Sequence, residues 1–275
     1  MYGLTTSSAK LYNPLMPLKA SAFMISVILL IAGRAGAQDE RKPLFLDSRP
    51  SEDPSVIDIT EIDKQYPKAA VQEYDKAVDL ARKGDRAAAR LHLEAAIRIE
   101  PAFFNAHNSL AILYHSMKQY AEAEREYREA EKLNPRSAAP LVNLASLHIE
   151  QALAIAARDS NTSRSMLNEA LESLNDAAKV QPASPVAEYL TGVVYYATSF
   201  YEEAETHFKK ALEFSEGRLV SSRLALADIY VRIQEWDNVV DQLDRYLALV
   251  PYGANGVLIR SMRDEAVRKL GVARR

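Results

Sequence analysis

The sequence predicts an all-α protein, a solenoid of stacked antiparallel helix pairs. Three observations lead there. From residue 70 onward, apolar residues recur at i, i+3 and i+4 in paired stretches, as in helices with one buried face. Small and large residues return at the same offsets in successive stretches. Helix breakers fall at the joints, with Pro101 and Pro135 set 34 residues apart. No single pair can bury its apolar face alone, so neighbours have to stack.

Composition narrows the function classes. The chain has 275 residues, a formal net charge of −3 and 48% hydrophobic residues, enough for an ordinary core. It has no cysteine, which excludes disulfides, thiolate metal sites, a cysteine nucleophile and a lipid-anchored N-terminal cysteine. Near-neutral charge argues against a dedicated nucleic-acid binder. Nine glycines leave little room for phosphate-cradling loops, and neither GxxxxGK[ST] nor GxGxxG occurs.

Residues 1–37 read as an export signal. The apolar run AFMISVILLIAG at 22–33 has 12 residues, too short for a helix across a bilayer core of about 30 Å. Lys10 and Lys19 precede it, no acid occurs before Asp39, and Ala35-Gly36-Ala37 offers a small-x-small cleavage site. Cleavage is placed after Ala37. Met16 would give a shorter, more usual leader and is an alternative start. An uncleaved membrane anchor is the other reading, favoured by Arg34 directly after the run and disfavoured by the run's length. In both readings the remainder is expected outside the cytoplasm, periplasmic or secreted, with membrane contact only through the N-terminal segment if it stays uncleaved.

Residues 38–69 read as a polar linker. Positions 38–65 hold eight acids, four bases and three prolines with no helical period. The apolar stretch Val56-Ile57-Asp58-Ile59 could pack on the first helix pair.

Residues 70–251 carry five pairs. Leu110, Ala111, Tyr114, Ala123, Tyr127, Ala130 and Pro135 stand at offsets 0, 1, 4, 13, 17, 20 and 25. The same offsets give Lys76, Ala77, Leu80, Ala89, Leu93, Ala96 and Pro101. They recur as Thr191, Gly192, Tyr195, Ala204, Phe208, Ala211 and Glu216, and again as Leu226, Ala227, Tyr230, Val239, Leu243, Tyr246 and Pro251. Small members sit where two helices approach closely, and large ones fill between pairs. Lys83-Gly84-Asp85, Lys118-Gln119, Glu100-Pro101 and Asn134-Pro135 mark joints.

An irregular pair lies third. Leu144, Ala145 and His148 belong to its first helix, and Ala170, Leu174, Ala177 and Pro182 to its second. His148 and Ala170 are 22 apart where other pairs have 9, so 13 residues are extra. The first helix is expected to run to about Arg158, with 159–163 a loop ending in a helix N-cap. Residues 252–275 are expected to form a capping helix, at 254–270, and a basic tail, Arg274-Arg275.

These residues resemble the tetratricopeptide repeat family. The period of 34 and the L-G-x2-Y … A-x3-F … P skeleton carry the resemblance over about residues 70–251. Departures are the missing early Trp, and Lys76 and Thr191 in place of Leu. The resemblance implies a right-handed superhelix with a concave groove lined by the first helix of each pair. Carried over position by position, the groove residues are Tyr74, Val78 and Arg82; Asn108, Ile112 and His115; Val142 and Ser146; Tyr189, Val193 and Tyr196; and Leu224, Asp228 and Arg232. Aromatics and aliphatics with few charges suit an extended peptide or a partner helix, with Tyr189 and Tyr196 as anchors. Arg82 and Arg232 read as solvated charges. Some members hold a C-terminal carboxylate with Lys and Asn in consecutive repeats, and only Asn108 and Arg82 correspond here.

No catalytic residue, cofactor or metal ion is expected. The five histidines form no HExxH motif, and His107 and His115, eight residues apart, point about 80° apart on a helix. His148 occupies a position held elsewhere by Tyr or Leu and reads as a packed interface residue. His92 and His207 occupy matching positions in second helices. The run AEAEREYREAEK at 121–132 reads as a solvated face, with Glu122/Glu126 and Arg125/Glu129 at i,i+4 spacing. No GxSxG occurs.

The leading expectation is an exported scaffold or adaptor that binds a protein or peptide partner in its groove. The alternatives are an architectural or self-associating spacer, docking through exposed residues such as Leu258 and Ile259, and a regulatory subunit of an envelope enzyme.

Overall fold

The computed structural model describes residues 66–251 and 256–273. The expected export signal, the linker up to residue 65 and the basic tail lie outside the described residues. All regular structure described is helical: α1 (Lys68–Arg82), α2 (Arg86–Ile99), α3 (Phe104–Ser116), α4 (Tyr120–Leu133), α5 (Ala139–Ile155), α6 (Ser160–Val180), α7 (Pro185–Ala197), α8 (Tyr201–Phe214), α9 (Val220–Arg232), α10 (Trp236–Leu249) and α11 (Gly256–Ala273). Each odd-numbered helix from α1 to α9 packs most extensively on the one that follows it. Each pair then packs on the next, and α11 closes against α10. This is an α-solenoid.

Local chemistry sets the helix ends. Asp85, Asp159 and Ser184 cap α2, α6 and α7 by accepting the N–H of Ala88, Thr162 and Ala187. Pro140 and Pro185 stand in first turns, where no N–H is needed. The turn within four pairs uses a left-handed residue at the same place: Gly84 at φ +84°, Lys118 at +62°, Ser199 at +67° and Gln234 at +61°. Only the first is glycine, so the other three bear the steric cost of a Cβ there.

The small positions of the repeat are the helix contacts. Ala77, Ala89, Ala111, Ala123, Ala145, Ala170, Ala204 and Ala227 are all buried. The second helices bury a narrow stripe, such as Ala89, Leu93 and Ala96 in α2. The first helices lie between neighbours and bury more; in α9 every residue from Ser221 to Tyr230 is buried. Lys76 stands where Leu110, Leu144 and Leu226 are buried, yet its side chain is 57% exposed. Among the described residues no helix covers that side of α1, so a charge is tolerated there.

The irregular pair departs from the expected loop. α5 has 17 residues and α6 has 21, against 13 and 14 in α3 and α4. The extra residues lengthen both helices. α5 ends at Ile155, before Arg158, and the N-cap is Asp159, so 160–163 are already helical. α5 is also the seam of the core. Its Leu144 and Leu147 join the apolar cluster of α1–α4, while Ala145, Ile149 and Ala152 join the cluster that runs to α11.

Candidate functional site: the concave helix row

The first helices touch one another through side chains set 35 residues apart. The Tyr74 hydroxyl lies 3.3 Å from Ser109 Oγ, Asn143 Nδ2 donates to Asn108 Oδ1 at 3.4 Å, and His115 Nε2 lies 3.0 Å from Glu150 Oε2. One repeat of 34 plus one residue separates the members of each couple, so positions one register apart meet across neighbouring first helices. Glu150 also accepts from the Lys118 ammonium and from the Tyr120 hydroxyl at 2.9 Å. The His115 bond leads these interactions, and together they outweigh partial burial and hold the Glu150 carboxyl down to about 2.

The expected groove positions divide in two. Tyr74, Val78, Asn108, Ile112, His115, Val142 and Ser146 are half-buried, and Arg82 is exposed beside Asp79 at 3.4 Å. These form a row on α1, α3 and α5 that presents apolar side chains, amides and hydroxyls. In the C-terminal half the row is closed. Val193, Leu224 and Asp228 are buried, and so are Tyr189 and Tyr196, at 6% and 4% exposure.

The two tyrosines are therefore not accessible anchors. Tyr189 tilts onto the Phe208 ring at 5.6 Å, and Tyr196 sits edge-on to Tyr201 at 5.4 Å. The Tyr196 hydroxyl donates to Asp228 and accepts from Arg232 Nη2 at 2.7 Å. Burial, reinforced by Asp228, pushes the Tyr196 phenol well above its ordinary value. Arg232 is correspondingly no free surface charge. Its guanidinium donates to Asp228 at 3.0 Å and lies 5.3 Å from the Tyr196 ring and 5.4 Å from that of Tyr201. Tyrosine suits both an anchor and a core position, because it joins a large apolar ring to one hydroxyl. Only packing decides between them.

A second ladder ties the first, second and fourth pairs internally and was missed from sequence. His92 Nδ1 lies 2.6 Å from Glu73, His107 Nδ1 2.8 Å from Glu126, and His207 Nδ1 2.6 Å from Glu188. Each couple is separated by 19 residues. The matching places of His92 and His207 were the available signal, since a carboxylate precedes each at that spacing. Glu126 is thus buried against His107 and does not belong to a solvated face. Arg125 pairs with Glu126 at 3.1 Å, and Glu129 with Lys132. Burial opposes the charge on both members of the His107–Glu126 couple. Burial is the largest single influence on each, but their mutual hydrogen bond and attraction, joined by the Pro101 carbonyl at His107 and by Arg125 at Glu126, together outweigh it, raising His107 and lowering Glu126. No group of three or more histidine or acidic side chains placed to hold a metal ion occurs among the described residues.

Comparison with known proteins agrees with this geometry. Residues 104–137 and 167–218 both match the tetratricopeptide repeat family. No curated protein matches the chain. A thermophilic tetratricopeptide repeat protein of Thermus thermophilus has a similar structure, with TM-score 0.59 and 23% identity over 72% of this chain and 99% of that one. The pilF protein of Pseudomonas aeruginosa gives TM-score 0.59 and 20% identity, covering 74% of this chain and 90% of that one. PilW, a type IV pilus biogenesis factor, gives TM-score 0.57 and 18% identity, covering 74% and 88%. At these identities the structures speak for the fold, and the two sequence matches for the family. The chain carries tetratricopeptide repeats and shares the fold of tetratricopeptide repeat proteins. That fold is one of protein-interaction scaffolds.

Proposed function

We propose that this chain is an exported scaffold that holds an extended segment of a partner protein against α1, α3 and α5. The observation that carries the reading is the half-open row Tyr74, Val78, Asn108, Ile112, Val142 and Ser146, in contrast with the closed row on α7 and α9. The amides of Asn108 and Asn143 can hydrogen-bond a partner backbone, and Val78, Ile112 and Val142 can take apolar side chains. The row has little free charge, so an uncharged, apolar-rich segment fits it. The groove does no chemistry in this reading. The sequence at 1–37 supports export, and an envelope assembly is in keeping with a fold shared with a pilus biogenesis factor. No described helix is long and apolar enough to cross a membrane.

The test is capture from an envelope extract by the chain, by an Ile112→Glu/Val142→Glu variant, and by a Lys210→Glu control on an exposed face of α8. A specific protein retained by parent and control and lost from the double variant is the expected result, with circular dichroism confirming that all three fold. Equal recovery by all three overturns the groove.

A self-associating spacer is a second reading, supported by Val257 and Leu258, which are 78% and 50% exposed on α11. Ile259, expected beside them, is buried in the core and drops out of that surface. A concentration-dependent oligomer abolished by Leu258→Glu would favour this reading.

A further inference from the structure

We propose that His148 is a proton-operated latch between the second and third helix pairs. His148 stands where α3, α7 and α9 have Tyr114, Tyr195 and Tyr230. Two of those tyrosines tie their helix to the preceding second helix: the Tyr114 hydroxyl donates to Glu94 at 3.1 Å, and the Tyr230 hydroxyl to Glu205 at 2.9 Å. The third pair places an imidazole there, and the shorter ring falls short. His148 Nε2 stops 3.9 Å from Glu124 on α4 and 3.9 Å from Glu169 on α6, beyond hydrogen-bond reach of both. Its Nδ1 is buried and has no partner. An imidazole that is 3% exposed thus stands between two carboxylates with neither nitrogen bonded.

The groups facing it are Glu124 and Arg128 from α4 and Glu169 from α6. Arg128 already holds Glu124 at 2.8 Å, which offsets part of that carboxylate's pull. Burial leads the balance and keeps His148 below the ordinary histidine value. For a histidine lowered in this way, the stabilisation of the present packing is complete above the unfolded value of about 6.5. It is lost as the pH falls below that value. An imidazolium can be accommodated only if Glu124 and Glu169 close to hydrogen-bond distance, which draws α4 and α6 onto α5. Because α5 joins the two halves of the core, this movement changes the angle between them.

The experiment uses the absence of native cysteine. Spin labels on Leu91→Cys and Thr206→Cys, exposed positions on α2 and α8, report the distance between the halves at pH 7.5 and pH 5.5. The parent is expected to show a reversible shift with a midpoint below 6.5. His148→Tyr restores the regular hydroxyl tie, and the shift should vanish. His148→Gln, which cannot titrate, serves should the tyrosine variant fail to fold. His107→Gln should leave the shift in place. A shift that persists in both His148 variants overturns the latch, as does no shift in the parent. The ring resonance of His148 gives an independent check, and titration at or above 6.5 likewise overturns the proposal.

Discussion

Gly192 shows how tightly a single position is specified. A Cβ there would lie 2.7 Å from two carbons of the Phe208 ring, which is itself buried and tilted onto Tyr189. Alanine would gain about 1 kcal/mol in helix propensity. Overpacking a ring with nowhere to go costs about 1–3 kcal/mol. Gly192→Ala should therefore lower the urea midpoint without changing the slope, and Gly192→Ala/Phe208→Leu should recover part of the loss. The same close approach is met by alanine in the first three pairs and in α9, even opposite Tyr127 in the second pair, so the glycine is demanded by where the Phe208 ring lies and not by the repeat as such.

At the scale of elements, the 19-residue couples staple the two helices of the first, second and fourth pairs together. In the second pair His107 is raised and Glu126 lowered. The histidine's contribution is complete below about pH 6.5 and fades as the pH rises through its folded value. The carboxylate's contribution is complete above about pH 4.5 and fades as the pH falls. Both operate together between those limits. His107→Gln should cost about 1–3 kcal/mol in that window and less at pH 8, measured by thermal melts across the range. The third pair lacks such a staple: its Leu141, one repeat after His107, is buried among Ala138 and Ala177. Its length replaces the staple, since α5 and α6 run side by side over more turns than any other pair.

For the molecule as a whole, stability is shared along the stack, because each pair meets only its neighbours. The chain's one tryptophan, Trp236, opens α10, and Lys269 of α11 lies 4.5 Å from its ring. Ile259 and Ala266 bury the inner face of the same helix. Deleting residues 256–275 should shift Trp236 emission to the red and lower the denaturant midpoint seen by fluorescence more than that seen by far-ultraviolet ellipticity. Equal changes by both probes would mean that the stack unfolds as one unit and that α11 is no local cap.

The sequence by itself determined the solenoid, its joints, the irregular third pair and the closing helix. The physical reason is local: a repeat places the same small, large and helix-breaking residues at the same register, and each register has one steric use. Lys76 and Gly84 could be placed without any partner in view. Tertiary structure alone decided which groove positions stay open. Tyr74 and Tyr189 occupy the same place in their pairs, yet one is half-exposed and the other enclosed. The difference comes from how closely neighbouring first helices approach and from which polar groups, such as Asp228 and Arg232, arrive to consume a hydroxyl. Glu126 carries the same lesson. Helical spacing set it on a charged face, and only the packing of α3 on α4 brought His107 to cover it.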